Sequence, residues 1–261
     1  MQDIRTQHYN LRLTAEDDIT NTFKDYRLLM NGNNAENSDI GYSNIQLIDQ
    51  ALHTLDGRID DLSYEPISIT AFSASPSQKE IGSSASNVVL SWSLSKIPVS
   101  IKINNNTLTA PEGGWGTSGT WTDSGTYSAD KTWTLEVTDA GGVSIAATTV
   151  SRNTILYFRK SVYYAAATIP ATMDSAFLLT MSSDLAASKA KTFTVNAGVN
   201  QYIWYAIPAA FGTCNFSVGG FEGGFELVNT IQHTNASGHT ESYYVYRSTN
   251  DGLGSTRVTV S

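Results

Sequence analysis

The chain has 261 residues, which suits one large or two smaller domains with extensions. A net charge of -8, with only 15% charged residues, provides no basic stripe for phosphates and excludes a general nucleic-acid binder. The single cysteine, Cys214, excludes an internal disulfide framework and any multi-cysteine metal site. Alternating apolar neighbours predict that Cys214 is a buried structural thiol. Abundant Thr, Tyr, Val and Trp favour β-sheet over helix.

Membrane and export signals are missing from the sequence as well. No apolar run is long enough to span a membrane. The N-terminus lacks the charged-then-apolar layout of an export signal. The sequence therefore predicts a soluble protein with no signal peptide and no membrane insertion.

Residues 1–65 read as an arm, a helix, a loop and a second helix. The arm, residues 1–13, alternates apolar and polar residues like an extended strand. A first helix follows, with Ile19, Phe23 and Tyr26 on one face, and it ends near Asn31-Gly32. This region holds too little core to fold alone. We therefore interpret it as an attachment or oligomerisation region.

The second helix carries the most regular apolar pattern of the chain. Its apolar residues alternate gaps of three and four: Ile45, Ile48, Leu52, Leu55, Ile59 and Leu62. The mean spacing of 3.5 residues is that of a coiled-coil seam, and the mixture of Ile and Leu at the a and d positions favours a trimer. Gly57, at an outer f position, costs roughly 1 kcal/mol of helix stability. The alternative, that this helix packs inside its own chain against the preceding helix, stays open.

Residues 66–152 change to short alternating segments separated by turn signals, which is typical of an Ig-like β-sandwich. The predicted strands are Ile67–Phe72, Val88–Trp92, Val99–Ile103, Thr132–Val137 and Val143–Ala147. The Cys…Trp…Cys framework of antibody domains is missing. We expect Trp92 and Trp133 to fill the core in its place.

Residues 153–261 continue with a second set of strands and predict a C-terminal β-sandwich-like domain. The predicted strands are Ile155–Phe158, Val162–Tyr164, Thr192–Val195, Tyr202–Tyr205, Phe216–Val218, Phe225–Val228, Tyr243–Tyr246 and Arg257–Val260. Ser182–Ala190 reads as a loop or short helix. No flexible linker lies near residues 151–153, so the two β domains should keep a fixed relation. The fold class is thus mainly β, behind an N-terminal arm and helices with a short coiled coil.

The chain resembles structural proteins of tailed bacteriophages, found among tail, baseplate and fibre components. The segments that carry the resemblance are DDITNTFKDYRLLMNG, YSNIQLIDQAL, VVLSWSLSKIPVSIKIN, KTWTLEVTDAGG, ILYFRKSVYYA, YIWYAIPAAFG, GGFEGGF and YYVYRSTNDGLGSTRVTV. The resemblance covers most of the chain. It implies a virion protein that docks through residues 1–65 and holds its β domains outward as a homotrimer.

Two motifs resemble a metal site and a phosphate loop, and a structural role explains each of them better. His233 and His239 flank a hairpin turn near Glu241; two histidines at that spacing are weak evidence for a metal, so we expect a solvent-exposed hairpin and no metal site. The run Gly219–Phe225 lacks the Gly-Lys-Ser/Thr of a phosphate loop. We expect it to form tight turns that bury Phe221 and Phe225.

A glycine-rich loop at residues 113–119 is the best candidate for ligand contact. It carries Trp115 at its tip, and Trp121 follows just beyond. Loop aromatics with polar neighbours stack on sugars or anchor partner proteins, although a packing role is the simpler interpretation.

No residue set in the sequence supports catalysis or a cofactor. There is no G-x-S-x-G, and the spacing of Glu222 and Glu226 does not identify a glycosidase pair. We therefore predict a non-enzymatic virion component, assembled in the host cytoplasm. Its partners would be further copies of itself and other virion proteins. The alternative is a module that binds a host-surface receptor or glycan.

Overall fold

The computed structural model describes the backbone of residues 4–5, 12–13 and 42–261, and the side chains from residue 50 onward. The chain is mainly β, with several antiparallel sheets. The helix predicted around Ile19, Phe23 and Tyr26 lies outside the described residues. The helix predicted from Ile45 to Leu62 is present as α1, Tyr42–Ser63.

The other elements follow in chain order. The strands are β1 (Ile4–Arg5), β2 (Arg12–Leu13), β3 (Ile69–Ser75), β4 (Gln78–Glu80), β5 (Ala85–Leu94), β6 (Ser100–Ile103), β7 (Asn106–Thr107), β8 (Ser118–Tyr127), β9 (Lys131–Thr138), β10 (Thr149–Ala167), β11 (Ser182–Ala186), β12 (Lys191–Ala197), β13 (Tyr202–Pro208), β14 (Phe216–Val218), β15 (Phe221–Glu222), β16 (Phe225–Thr234), β17 (Thr240–Ser248) and β18 (Gly254–Val260). A short helix α2 spans Ser175–Leu179, and a 3-10 turn spans Ala209–Phe211.

The chain divides into two units, and the smaller comprises residues 1–66 with residues 139–148. In this unit β1 pairs antiparallel with β2, with Ile4 opposite Leu13. The strand predicted at Val143–Ala147 is wrong, since residues 139–148 form a loop. The carboxylate of Asp139 holds this loop by accepting the backbone N–H groups of Gly141 and Thr148, at 3.0 and 2.8 Å. These amides therefore bind a side chain rather than a neighbouring strand.

The larger unit comprises residues 67–138 and 149–261. Its first part contains a three-stranded sheet in the order β3-β5-β8, and the strands β6, β9 and the first half of β10 from a nine-stranded sheet. Inward residues of both sheets form one hydrophobic cluster. Trp92 from β5 and Trp133 from β9 are both buried in this cluster, which confirms their predicted core role.

One long strand, β10, runs from the first part of this unit into the second. Its first half pairs with β9, from Thr149 opposite Thr138 to Leu156 opposite Lys131. Its second half pairs with β11 and β13. The predicted junction at residues 151–153 thus lies inside a strand. The domain boundaries at 66–152 and 153–261 remain a prediction.

The second part is built around β13, which is buried on both faces. Ile203, Tyr205 and Ile207 point to one cluster, which the four-stranded sheet β12-β18-β14-β15 covers. The alternate residues Trp204 and Ala206 point to another cluster, which includes Leu178 of α2. Burial on both faces explains why this strand reads as a continuous apolar run.

Ser182–Ala190, predicted as a loop or short helix, contains a strand instead. Residues 182–186 form β11 and pair antiparallel with β10, with Tyr164 opposite Ser182. Its side chains are mostly exposed, so the segment lacks the apolar alternation of a half-buried strand. Pairing with β10 determines its conformation.

Candidate functional site

Four large apolar side chains of α1, all within the described residues, face solvent. Leu52, Leu55, Ile59 and Leu62 are 55%, 52%, 53% and 87% exposed. They are the last four of the six predicted seam residues; the side chains of Ile45 and Ile48 lie outside the described residues. We call the row of six the seam. Large apolar side chains left exposed in a row on one helix face are typical of an interaction surface.

The opposite face of α1 packs on its own chain, against residues 139–148, which we call the brace loop. The Asp61 carboxylate accepts the backbone N–H of Ser144 at 3.0 and 3.1 Å. Just beyond the helix, the Tyr64 hydroxyl donates to Asp139 Oδ2 at 2.7 Å. These contacts hold the end of the helix to the brace loop.

Gly57 lies on this braced face too. A Cβ at Gly57 would stand 3.2 Å from Cγ1 of Val143. In the heptad numbering Gly57 takes an f position and Asp61 a c position, both opposite the seam. The glycine that costs helix stability in the sequence therefore permits the close approach of the brace loop. The helix uses its outer face within its own chain, while the described part of the seam is left uncovered.

The predicted ligand residues Trp115 and Trp121 line one cleft of about 500 Å³, together with Trp92. We call it the tryptophan cleft. Trp115 and Trp121 are half-buried and pack against the first hydrophobic cluster, so the structure gives them both a packing role and an exposed face. Trp92 is buried beneath them, and its Nε1 finds no hydrogen-bond acceptor among the described residues.

A glycine determines the floor of the tryptophan cleft. Gly119 on β8 lies directly opposite Trp92 on β5. A Cβ at this position would fall 2.6 Å from Cζ2 of the Trp92 ring. Only a residue without a side chain lets the indole lie against the strand. In the sequence this glycine reads as the end of the glycine-rich loop 113–119, so neither the strand nor its contact with Trp92 was predicted.

Asp123 fastens the strand that carries Trp121. Its carboxylate accepts the backbone N–H of Gly125 at 2.8 Å, the Tyr127 hydroxyl at 2.7 Å and the Trp133 indole N–H at 2.7 Å. Burial acts to raise the pKa of Asp123, but the hydrogen bonds from Trp133, Gly125 and Tyr127 outweigh it and hold that pKa below 3.8. The ionised carboxylate thus ties β8 to β9.

The histidine hairpin differs from its prediction. His233 is fully buried, so the expected solvent-exposed hairpin is wrong at this position. Its ring lies edge-on to Tyr163 and Tyr243, with centroids 4.9 and 4.7 Å away. His239 is partly exposed, with Nε2 3.8 Å from Oε1 of Glu241. Within residues 42–261, no cluster of three or more His, Cys, Asp and Glu side chains could hold a metal ion.

The glycine-rich run 219–225 was predicted to bury Phe221 and Phe225, and the structure half-buries Phe225 and exposes Phe221. Phe225 stacks on Phe216, with ring centroids 4.2 Å apart. Phe221 is 82% exposed, so the expectation that it is buried is wrong. The glycines on both sides of Phe221 take positive φ, and the hairpin they form carries the ring outward.

The surroundings of Cys214 and Glu226 indicate structural rather than catalytic roles. Burial raises the pKa of the Cys214 thiol to about 11, as expected for an inert thiol. Glu226 forms an ion pair with Arg247 at 2.5 Å. None of the described helices is long and apolar enough to cross a membrane.

Comparisons of the chain with known proteins identify no relative. No protein-family model, curated protein or solved structure matches the chain closely enough to identify one. The seam, the brace loop and the tryptophan cleft are therefore the features from which we infer a function.

Proposed function

We propose that the protein is a non-enzymatic structural component of a tailed-bacteriophage virion, assembled as a homotrimer. In this proposal the seam gathers three helices about one axis. Residues 1–65 dock onto other virion proteins. An Ig-like β-sandwich (66–152) and a C-terminal β-sandwich-like domain (153–261) are displayed outward.

The exposed seam is the observation that carries this proposal. Its four described side chains lie in a row with coiled-coil spacing, and the described part of the chain leaves them more than half exposed. An apolar row packed against the described residues would be buried there. Further copies of the same helix would bury the seam, because the a and d side chains of one helix fit between the side chains of an identical helix.

The brace loop supports the same reading from the other side of the helix. Asp61 and Tyr64 hold the outer face, so α1 has a fixed side and a free side. A seam of under three heptads is short for a coiled coil. Contacts that order each helix before assembly reduce the entropy lost on association.

The virion role draws its support from the sequence resemblance, which covers all three regions. A trimer of such chains would bind its partners through several linked weak contacts, and such linkage raises avidity by about 10²–10⁴-fold. The arm, residues 1–13, is proposed to contact a neighbouring virion protein.

Light scattering of the purified full chain tests the assembly. We expect three times the mass of the 261-residue chain, and a smaller mass for Leu52→Asp, because a charge at an a position cannot be buried in the seam. Gln50→Asp is the matched control: it adds the same charge at an exposed outer position and should leave the trimer intact. A wild-type chain that stays monomeric at every concentration would overturn the trimer.

Immunogold labelling of phage particles tests the virion role separately. An antibody raised against the purified chain should label particles that encode it, at a constant place on each particle. Purified particles without label, in a lysate where the free protein is detected, would overturn the virion assignment and leave the trimer measurement standing.

A further inference from the structure

The tryptophan cleft brings two large aromatic side chains to the surface at one place. Trp115 from the loop before β8 and Trp121 from β8 itself each press one side on the core and leave the other toward the cleft. Indole rings are rarely left half-exposed side by side without a partner, because each leaves a large apolar area in water. The volume of about 500 Å³ falls in the range of small-molecule sites.

The lining of the cleft restricts the chemistry of what binds there. None of the described residues around it carries a charge. Its polar side chains are the hydroxyls of Thr109, Ser118 and Thr120. A phosphate, a nucleic acid or an acidic peptide would find no counter-charge, so an uncharged ligand is favoured.

We propose that the tryptophan cleft is a binding site for an uncharged oligosaccharide. The apolar C–H faces of a pyranose ring stack on indole, and its hydroxyls both donate and accept, as do the Ser and Thr hydroxyls at the rim. A polyproline peptide also docks on aromatic grooves, but its backbone only accepts hydrogen bonds, so it would use these hydroxyls as donors and leave their acceptor oxygens unpaired. The indole N–H of Trp92 is buried against Gly119 and is not offered to such a peptide.

Calorimetric titration of the full chain tests the site. The probes are cellohexaose, chitohexaose and maltohexaose, three neutral oligosaccharides that differ in linkage and substituent. We expect measurable binding of at least one. Trp115→Ala should weaken it at least tenfold, since aromatic anchors dominate such sites.

Gly116→Gln provides a second variant that leaves all three tryptophans in place. A Cβ at Gly116 meets nothing closer than the Ser118 carbonyl oxygen at 3.5 Å, so the new side chain can lie across the cleft without disturbing the fold. It should also weaken binding at least tenfold. Phe221→Ala is the matched control, because it removes an exposed aromatic from a different hairpin, and it should bind like the wild type.

Three results would overturn the proposal. The first is no heat with any of the three oligosaccharides at millimolar concentration. The second is binding that Gly116→Gln leaves unchanged, which would place the sugar elsewhere. The third is binding of a decaproline peptide, without any sugar, that Trp115→Ala abolishes, which would make the cleft a peptide site.

Discussion

The Asp61 carboxylate on α1 receives the backbone N–H of Ser144 on both of its oxygens, at 3.0 and 3.1 Å. The two residues are 83 positions apart in sequence. This contact lies on the side of the helix away from the seam. It therefore orients α1 without covering the apolar row that the proposed trimer would bury.

Asp61→Ala should release the brace loop. Removing an acceptor that is a charged group costs about 1–2 kcal/mol of free energy of unfolding of this unit. The Ser144 amide should then exchange with solvent about tenfold faster, as measured by hydrogen exchange.

Asp60→Ala is the control for that experiment, since it removes an identical charge from the neighbouring, exposed helix position. It should leave exchange at Ser144 unchanged. Equal exchange rates in the two variants would contradict the brace.

Gly119→Ala should destabilise the larger unit by about 1–3 kcal/mol, measured by denaturant unfolding. The new methyl group would meet the Trp92 ring at 2.6 Å, and the backbone and ring must shift to accommodate it. Gly116→Ala, three residues earlier, meets nothing within 3.4 Å and should change stability little. Similar losses at both positions would show that the Trp92 contact is not the cause.

Asp123→Asn should lower the free energy of unfolding by about 1–2 kcal/mol, because the single oxygen of an amide cannot accept all three hydrogen bonds. The lowered pKa adds a pH dependence with a definite sign. The ionised carboxylate contributes stability above about pH 3.8, and that contribution is lost as pH falls through the folded-state pKa. The variant should therefore lose less stability than the wild type on acidification.

Chemical unfolding of wild type and Asp123→Asn between about pH 2 and pH 6 measures this difference, because the contribution is lost below about pH 3.8. Glu112→Gln, which removes a charge from an exposed loop residue of the same unit, should keep the wild-type pH profile. If Asp123→Asn loses as much stability as the wild type at low pH, the ionised Asp123 carboxylate is not the stabilising group.

His233→Phe should flatten the pH dependence of stability near neutrality. Burial lowers the pKa of His233 from 6.5, against the opposing charges of Glu80 and Glu241. Below about pH 6.5 the unfolded chain binds more protons than the folded one at this site, so the free energy of unfolding falls as pH drops. Phenylalanine keeps the edge-on packing with Tyr163 and Tyr243 and cannot be protonated.

The experiment compares urea unfolding of wild type and His233→Phe from pH 5 to pH 7. His239→Gln, measured in the same way, separates the contribution of His233 to the pH dependence of stability from that of the other histidine in the hairpin. Parallel pH profiles for wild type and His233→Phe would show that the buried imidazole does not titrate in this range.

The sequence was sufficient where apolar periodicity was regular. α1 was predicted over Ile45–Leu62 and spans Tyr42–Ser63, and the buried strands around Trp92, Trp133 and Tyr205 were each recognised. A regular apolar period of two residues indicates a strand and one of 3.5 residues indicates a helix, so these elements could be predicted from one sequence.

Elements held by other interactions could not be predicted in the same way. The strand β8 was not predicted, because Gly119 reads as the end of a glycine-rich loop. In the folded chain Gly119 and Gly125 each lie close to an aromatic ring, that of Trp92 and that of Tyr127. The apolar alternation at Val143–Ala147 predicted a strand, but Asp61 binds the Ser144 amide of that segment, and Asp139 binds the amide of Thr148 directly after it. The tryptophan cleft depends on the contact between Gly119 and Trp92, so the sequence indicated Trp115 and Trp121 as candidates without Trp92 beneath them.

The continuity of β10 has a consequence for how this protein can be divided. A cut at residue 153 would split one strand and leave each fragment with an unpaired edge, which invites aggregation. The larger unit should therefore melt in a single step, and neither half should be recoverable as a well-behaved protein by itself. Binding studies need the intact polypeptide.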